Sequence, residues 1–172
     1  MLQDFVNTVD LELGEEQLRT PRQLAGWLRA EGLLHGGESL GQADLRRMLA
    51  LREALRSVLL VHSGEPLDAE AAALVDGEAA SAPLRVRLDA SGVAGVAPGG
   101  EGLGGAIARL LAAAVVASID GTWSRLKVCR DHDCLAAFYD HSRNGSGAWC
   151  TMATCGNRAK ARRYRRRAQA AG

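Results

Sequence analysis

The segment Cys129-Arg-Asp-His-Asp-Cys134, followed after 15 intervening residues by Cys150-Thr-Met-Ala-Thr-Cys155-Gly-Asn-Arg158, decides how the rest of the chain is read. Two Cys-x4-Cys pairs separated by a loop suit a structural zinc site. Zinc takes four ligands tetrahedrally and favours thiolate, and each pair supplies two ligands from one local turn. These are the only four cysteines, and all lie in the last 44 of 172 residues. A disulfide framework would spread its cysteines more widely and come with an export signal. The start, MLQDFVNTVD, has no basic region of that kind. Iron–sulfur ligation by four thiolates stays open in principle. His132 and His141 lie among the cysteines and could replace a ligand, but four thiolates already complete the tetrahedron, so both read as surface groups. A closed site leaves no position for a catalytic water, which argues against a zinc hydrolase.

Downstream of Cys155, Arg158, Lys160, Arg162, Arg163, Arg165, Arg166 and Arg167 put seven cations in ten residues, with no acid among them. Ala, Arg and Lys are strong helix formers, so a basic helix is predicted. Ala161, Tyr164 and Ala168 form a narrow apolar strip expected to dock on the cysteine module. Arginine suits planar, bidentate contacts to phosphate or guanine. The candidate nucleic-acid contacts are therefore Asn157, Arg158, Lys160, Arg162, Arg163, Arg165 and Arg166, with Arg143 and Asn144 from the polar loop 140–147. The plain alternative is a solvated tail. Attachment to a membrane surface is disfavoured because large apolar anchors are missing.

The formal charge of +1 hides a split. Residues 1–122 hold 10 basic and 17 acidic residues, a net of −7, and residues 123–172 hold 11 basic and 3 acidic, a net of +8. Such asymmetry points to a module that meets something anionic. The longest apolar run, Leu103 to Ile119, contains Arg109 and is shorter than the ~20 residues that span a bilayer. A soluble, cytoplasmic protein is expected.

Upstream, Thr20-Pro21-Arg22-Gln23 is a helix start: Thr20 caps, Pro21 suits the first position and Gln23 completes a capping box. Gly32 ends that helix. A second helix is predicted over about 42–62 from Leu45, Met48, Leu49, Leu55, Val58 and Leu59 at a 3.6 period, and a third follows Asp68 to about Ala79. Leu84, Val86 and Leu88 alternate with Arg85 and Arg87, which predicts a half-buried strand, with a return strand over 93–97. A helix over about 101–120 is expected to bury Leu103, Ile107, Leu110, Leu111, Val115 and Ile119. The fold class is α+β, mainly helical. Residues 1–121 form an N-terminal helical domain with a small β-hairpin, and residues 122–172 form a four-cysteine zinc finger ending in the basic helix. The module has few large apolar residues, so zinc would supply much of its folding free energy, on the order of 10 kcal/mol.

Cys129 and Cys134, Phe138-Tyr-Asp140, Ser142-Arg-Asn144, Trp149-Cys150, Met152-Ala153 and Cys155-Gly-Asn-Arg158-Ala-Lys160 together resemble the CGNR zinc finger. Asp4-Phe-Val-Asn-Thr8 and the Thr-Pro-x-x-Leu-x-x-Trp-Leu helix start resemble the domain that accompanies it in bacterial proteins described as stress-induced transcription regulators. The resemblance implies one structural zinc on Cys129, Cys134, Cys150 and Cys155, and DNA binding from the family's basic character. Basic residues are expected just before the Trp-Cys pair, where this chain has Gly147-Ala148. A lost phosphate contact there would weaken binding.

A DNA-binding transcription regulator is the leading reading, with duplex DNA as partner and a homodimer allowed for. RNA binding is the runner-up, through Tyr139, Trp149 and Tyr164. A third reading is an interaction adaptor whose basic helix docks on an acidic partner or on the chain's own N-terminal domain. No Gly-rich phosphate loop, His-Glu-x-x-His or nucleophile elbow is found, so an enzyme is not expected. Asn7 and Thr8, in a polar cluster with Asp4 and Asp10, are candidates for a small-molecule effector pocket. The competing reading is that they cap a helix.

Overall fold

The computed structural model describes residues 1–170. In chain order the elements are α1 (Leu2–Val6), β1 (Val9–Asp10), β2 (Glu15–Glu16), α2 (Pro21–Ala30), α3 (Gln42–Leu60), α4 (Ala69–Ser81), β3 (Leu84–Leu88), β4 (Ala94–Pro98), α5 (Gly102–Ile119), β5 (Leu126–Val128), β6 (Ala137–Tyr139) and α6 (Asn157–Ala170). The strands form three antiparallel two-stranded ribbons, β1–β2, β3–β4 and β5–β6.

The helices start and stop where local chemistry places them. Thr20 Oγ1 accepts from Gln23 N at 3.2 Å, and Gln23 Oε1 accepts from Arg19 N at 3.1 Å. Asp68 caps α4 by accepting from the amides of Glu70 and Ala71. Gly32 takes φ +67°, as the end of α2 requires.

α3 and α5 carry the core. α3 buries Leu45, Met48, Leu51, Leu55 and Leu59, and α5 buries Leu103, Ala106, Ile107, Leu110 and Leu111. Phe5 of α1 packs tilted on Trp27 of α2, with ring centroids 5.4 Å apart. By length and composition α5 could cross a membrane. In this fold its Leu103–Ala112 stretch faces the core instead.

Two expectations fail here. The β3–β4 hairpin forms in the register Val86↔Val96, but β3 is not half-buried: Val86 is 80% and Leu88 68% exposed. β4 rests on α5, while β3 hangs on β4 with its apolar side chains in solvent. Alternation reports two unlike faces, not the presence of a cover. Val115 and Ile119 of α5 are likewise exposed, because the helix outruns the core.

β5 and β6 are not held by metal chemistry alone. Leu126, Val128 and Ala137 belong to the same buried cluster as α1, α2, α3 and α5. Ser63 Oγ donates to Val128 O at 2.7 Å, and Asn7 brackets Ala137, donating to its carbonyl and accepting from its amide, both at 2.8 Å. Arg56, buried in α3, donates to Val6 O and Leu135 O, both at 2.6 Å. The acidic and basic parts of the chain thus meet in this core, while Cys129, Phe138 and Cys155 form a second, smaller cluster of their own.

Candidate metal centre and basic groove

Two turns converge to build the centre. In the first, Asp131 O accepts from Cys134 N and Leu135 N, and Cys129 N donates to Ala136 O. This tight reversal forces Leu135 to φ +46°, a left-handed conformation unusual for a branched side chain. The hydrogen bond from Arg56 to the Leu135 carbonyl holds it there. In the second, Thr151 Oγ1 caps a wide π-type turn over Met152–Gly156, which delivers Cys155 directly into α6. Gly156 lies close against two side chains of this turn. A Cβ there would lie 2.6 Å from Met152 Sδ and 3.3 Å from the Trp149 ring.

The four sulfurs of Cys129, Cys134, Cys150 and Cys155 lie within 4.8 Å of one another. The Cys134–Cys150 and Cys150–Cys155 separations are 3.6 Å. Four thiolates about 2.3 Å from one ion on a tetrahedron stand about 3.8 Å apart, so the donor set fits zinc. Burial and neighbouring sulfurs push the Cys134 thiol up to about 11, and the Cys150 thiol up in the same direction. A central cation reverses this and permits four thiolates. One structural zinc ion fits the site, and the closed donor set leaves it no open position.

Arg158 ties this centre to the N-terminal segment. Its Nη1 and Nη2 donate to the two carboxylate oxygens of Glu12 at 2.6 and 2.8 Å, and Nη2 also reaches Cys155 Sγ at 3.2 Å. Its Nε lies 2.9 Å from Asp131 Oδ2, a charge contact without hydrogen-bond alignment. Arg162 Nη2 donates to Asp131 Oδ1 at 3.0 Å. Burial alone would raise the Asp131 carboxyl, but Arg158 and Arg162 hold it below its ordinary value.

The loop after β6 is organised by a buried ion pair. Lys127 Nζ lies 2.8 Å from Asp140 Oδ2, with both side chains under 10% exposed, and also donates to the carbonyls of Gly145 and Gly147. Asp140 further accepts from the amides of Ser142 and Gly147. Burial works to raise its carboxyl, yet these partners, Lys127 foremost, hold it well below the usual range. A Cβ on Gly147 would lie 2.6 Å from Asp140 Oδ1. The basic side chain expected at this position therefore has no room in this packing.

The predicted nucleic-acid residues separate into three groups. Asn157, Arg158 and Arg162 face inward or act locally, Asn157 donating to Ala153 O at 3.0 Å. Lys160, Arg163, Arg165 and Arg166 are exposed on α6. Arg143 and Asn144 lie elsewhere, beside a depression of about 530 Å3 that Arg125, Lys127 and His62 also line. The apolar strip does not dock: Tyr164 is 76% exposed, and α6 instead turns Arg158, Ala159 and Arg162 towards the module. The residues that accept α6 are charged, so helical apolar spacing misidentifies the contact face.

Asn7 and Thr8, the candidates for an effector pocket or a helix cap, make internal hydrogen bonds, and Asn7 stands at the C-terminal end of α1. Asn7 is committed to Ala137, and Thr8, 1% exposed, donates to Phe5 O and accepts from Arg52 Nη1. A depression of about 580 Å3 in the N-terminal part is lined instead by His35 and Glu38 with Gly100, Glu101 and Arg109.

Sequence reasoning missed a groove of about 430 Å3 between α6 and the first turn. Its walls are Arg130, His132, Trp149, Arg163, Arg166 and Arg167, with Ala159 and Arg162 completing it. It also missed Glu12 and Asp131 as anchors. Nothing beside Asp131 in the sequence announces its role, and Glu12 meets its partner across 146 positions.

A family model for the CGNR zinc finger matches residues 125–168, and one described as a putative stress-induced transcription regulator matches residues 1–120. No curated protein matches the chain. The two matches cover the halves that the shared core joins, and the larger covers well over half of the sequence. The chain belongs to the family of putative stress-induced transcription regulators (ABATE), and it carries the CGNR zinc finger at its C-terminal end.

Proposed function

We propose that this regulator binds duplex DNA, with α6 as its phosphate-contacting element and residues 1–121 as the regulatory part. The observation that carries the reading is the exposed row Lys160, Arg163, Arg165, Arg166 and Arg167. No carboxylate pairs with any of them among the described residues. Such a row costs like-charge repulsion along the helix unless an anion offsets it. Anchoring by the metal turn, Arg158 and Arg162 fixes the helix angle and lowers the ordering cost on binding. The closed thiolate set supports a regulator rather than an enzyme.

The reading assigns Lys160, Arg163, Arg165, Arg166 and Arg167 to phosphates and perimeter bases. Arg158, Asn157 and Arg162 become the framework that aims them. Arg143 and Asn144 provide a separate polar contact beside Arg125. Docking of the basic helix on the chain's own acidic part is supported only through Arg158 and Glu12, which leaves Lys160, Arg163, Arg165, Arg166 and Arg167 available.

Affinity for a mixed-sequence duplex measured at several salt concentrations tests the proposal. Log affinity should fall linearly with log salt, by roughly 0.9 for each phosphate contact. Arg163→Ala with Arg166→Ala should flatten that slope by about 2. A salt-independent signal, or no binding at low salt, rejects it. Stronger binding to single-stranded RNA in direct competition would favour the RNA reading instead.

A further inference from the structure

The groove between α6 and the first metal turn differs from the open face of the helix in two ways. It is concave and it has an aromatic wall, while like that face it carries cations without acidic partners among the described residues. Arg162 is neutralised by Asp131, and Arg130 gives one nitrogen to the Ser63 carbonyl but keeps its charge. Arg163, Arg166 and Arg167 have no acidic partner among the described residues. Trp149, half-buried against Cys129, Phe138 and Cys155, supplies the aromatic wall, and among the described residues no carboxylate lines the space.

A volume of about 430 Å3 lies in the range of small-molecule sites. A DNA strand crossing it would place one phosphate charge per nucleotide there. Four guanidinium groups facing one such charge remain mostly uncompensated. Three linked phosphates carry roughly four negative charges at neutral pH and suit planar bidentate donors. Trp149 adds a surface on which a base can stack, and indole is the strongest of the rings for this and for flanking cations.

We propose that this groove binds a free nucleoside polyphosphate, its phosphates on Arg130, Arg163, Arg166 and Arg167 and its base against Trp149. The inference rests on the reading that α6 binds phosphate, and it deepens that reading into regulation. Arg163, Arg166 and Arg167 serve both the groove and the outer face of α6, so the nucleotide and DNA compete for the same cations. A full complement of nucleotide lowers DNA affinity without any change of fold.

The test uses the full-length, zinc-loaded chain and titrates ATP, GTP, AMP and inorganic tripolyphosphate by calorimetry, with displacement of a labelled duplex measured in parallel. A triphosphate should bind at least about fivefold more tightly than tripolyphosphate, which reports the stacked base. It should also exceed AMP by more than about tenfold and displace the duplex. Arg163→Ala with Arg167→Ala should weaken it at least about tenfold while zinc content and the far-UV spectrum stay unchanged. Trp149→Phe keeps an aromatic ring and should retain most of the binding. Equal binding of tripolyphosphate and ATP overturns the stacked base and with it the proposal. Duplex binding with no nucleotide binding overturns the proposal and leaves the DNA reading standing. Absence of both rejects both.

Discussion

Glu12 presents both carboxylate oxygens to both terminal nitrogens of Arg158, at 2.6 and 2.8 Å, across 146 positions of sequence. The same guanidinium touches Cys155 Sγ. The tip of the β1–β2 ribbon is thus connected to a metal-binding sulfur through one side chain.

Loss of that connection should be visible in the metal rather than in the fold. Arg158→Ala removes the sulfur's hydrogen-bond donor and should weaken zinc by about tenfold, in line with the loss of other outer hydrogen bonds around metal sites. Glu12→Gln keeps the shape and loses the charge, so a smaller weakening in the same direction is expected. Competition with a chromogenic chelator measures both. Unchanged zinc affinity in Arg158→Ala would remove Arg158 from any role at the centre.

Removal of zinc should destabilise the whole chain. Leu126, Val128 and Ala137 connect the metal turns to the core of α3 and α5, so chelation should move one cooperative thermal transition down by more than about 10 °C. Two separate transitions, with the upper one unmoved, would contradict a shared core.

Lys127→Met should cost about 3 kcal/mol in urea denaturation, because it strands a buried carboxylate. Asp140 also sets a pH dependence. Its carboxyl is held below its unfolded value of about 3.9, so it adds stability above that value and loses it as pH falls towards the lowered one. The stability gap between the wild type and Asp140→Asn should therefore shrink as the pH is lowered below about 4. A gap that stays constant to pH 2 would deny the ion pair its role.

Gly147 should resist a side chain more strongly than Gly156. Alanine at Gly147 meets the buried, ion-paired Asp140 carboxylate closer than 3 Å and should cost about 1–3 kcal/mol, whereas at Gly156 the close atoms belong to the exposed end of Met152 and the cost should be smaller. Gly156→Ala should also weaken zinc, since Met152 and Trp149 must move around Cys155. Neutral effects in denaturation would show that the packing adapts.

The sequence carries whatever is written locally. Thr20, Asp68 and Gly32 placed helix ends because caps and left-handed stops act within a few residues. The four cysteines were legible because zinc imposes both residue type and spacing. Contacts between distant, charged residues were not. Arg158 and Arg162 read as free cations, since nothing near them in sequence announces Glu12 or the buried Asp131. Tyr164 read as a docking residue because helical spacing identifies a face without saying what meets it. Asn7 and Thr8 read as helix caps or pocket residues, and neither reading points to their partners, a strand 130 positions away and an arginine of α3.

The buried Arg56 grips the carbonyl of Val6 with one nitrogen and that of Leu135 with another. The two matched segments look like interchangeable cassettes in the sequence, but they are not transplantable. A zinc finger grafted onto a foreign partner would arrive without the clamp that holds Leu135 in its left-handed turn, and an N-terminal segment alone would leave that guanidinium half employed. Exchange between relatives should succeed only when residues equivalent in role to Asn7, Glu12 and Arg56 travel with the finger they serve.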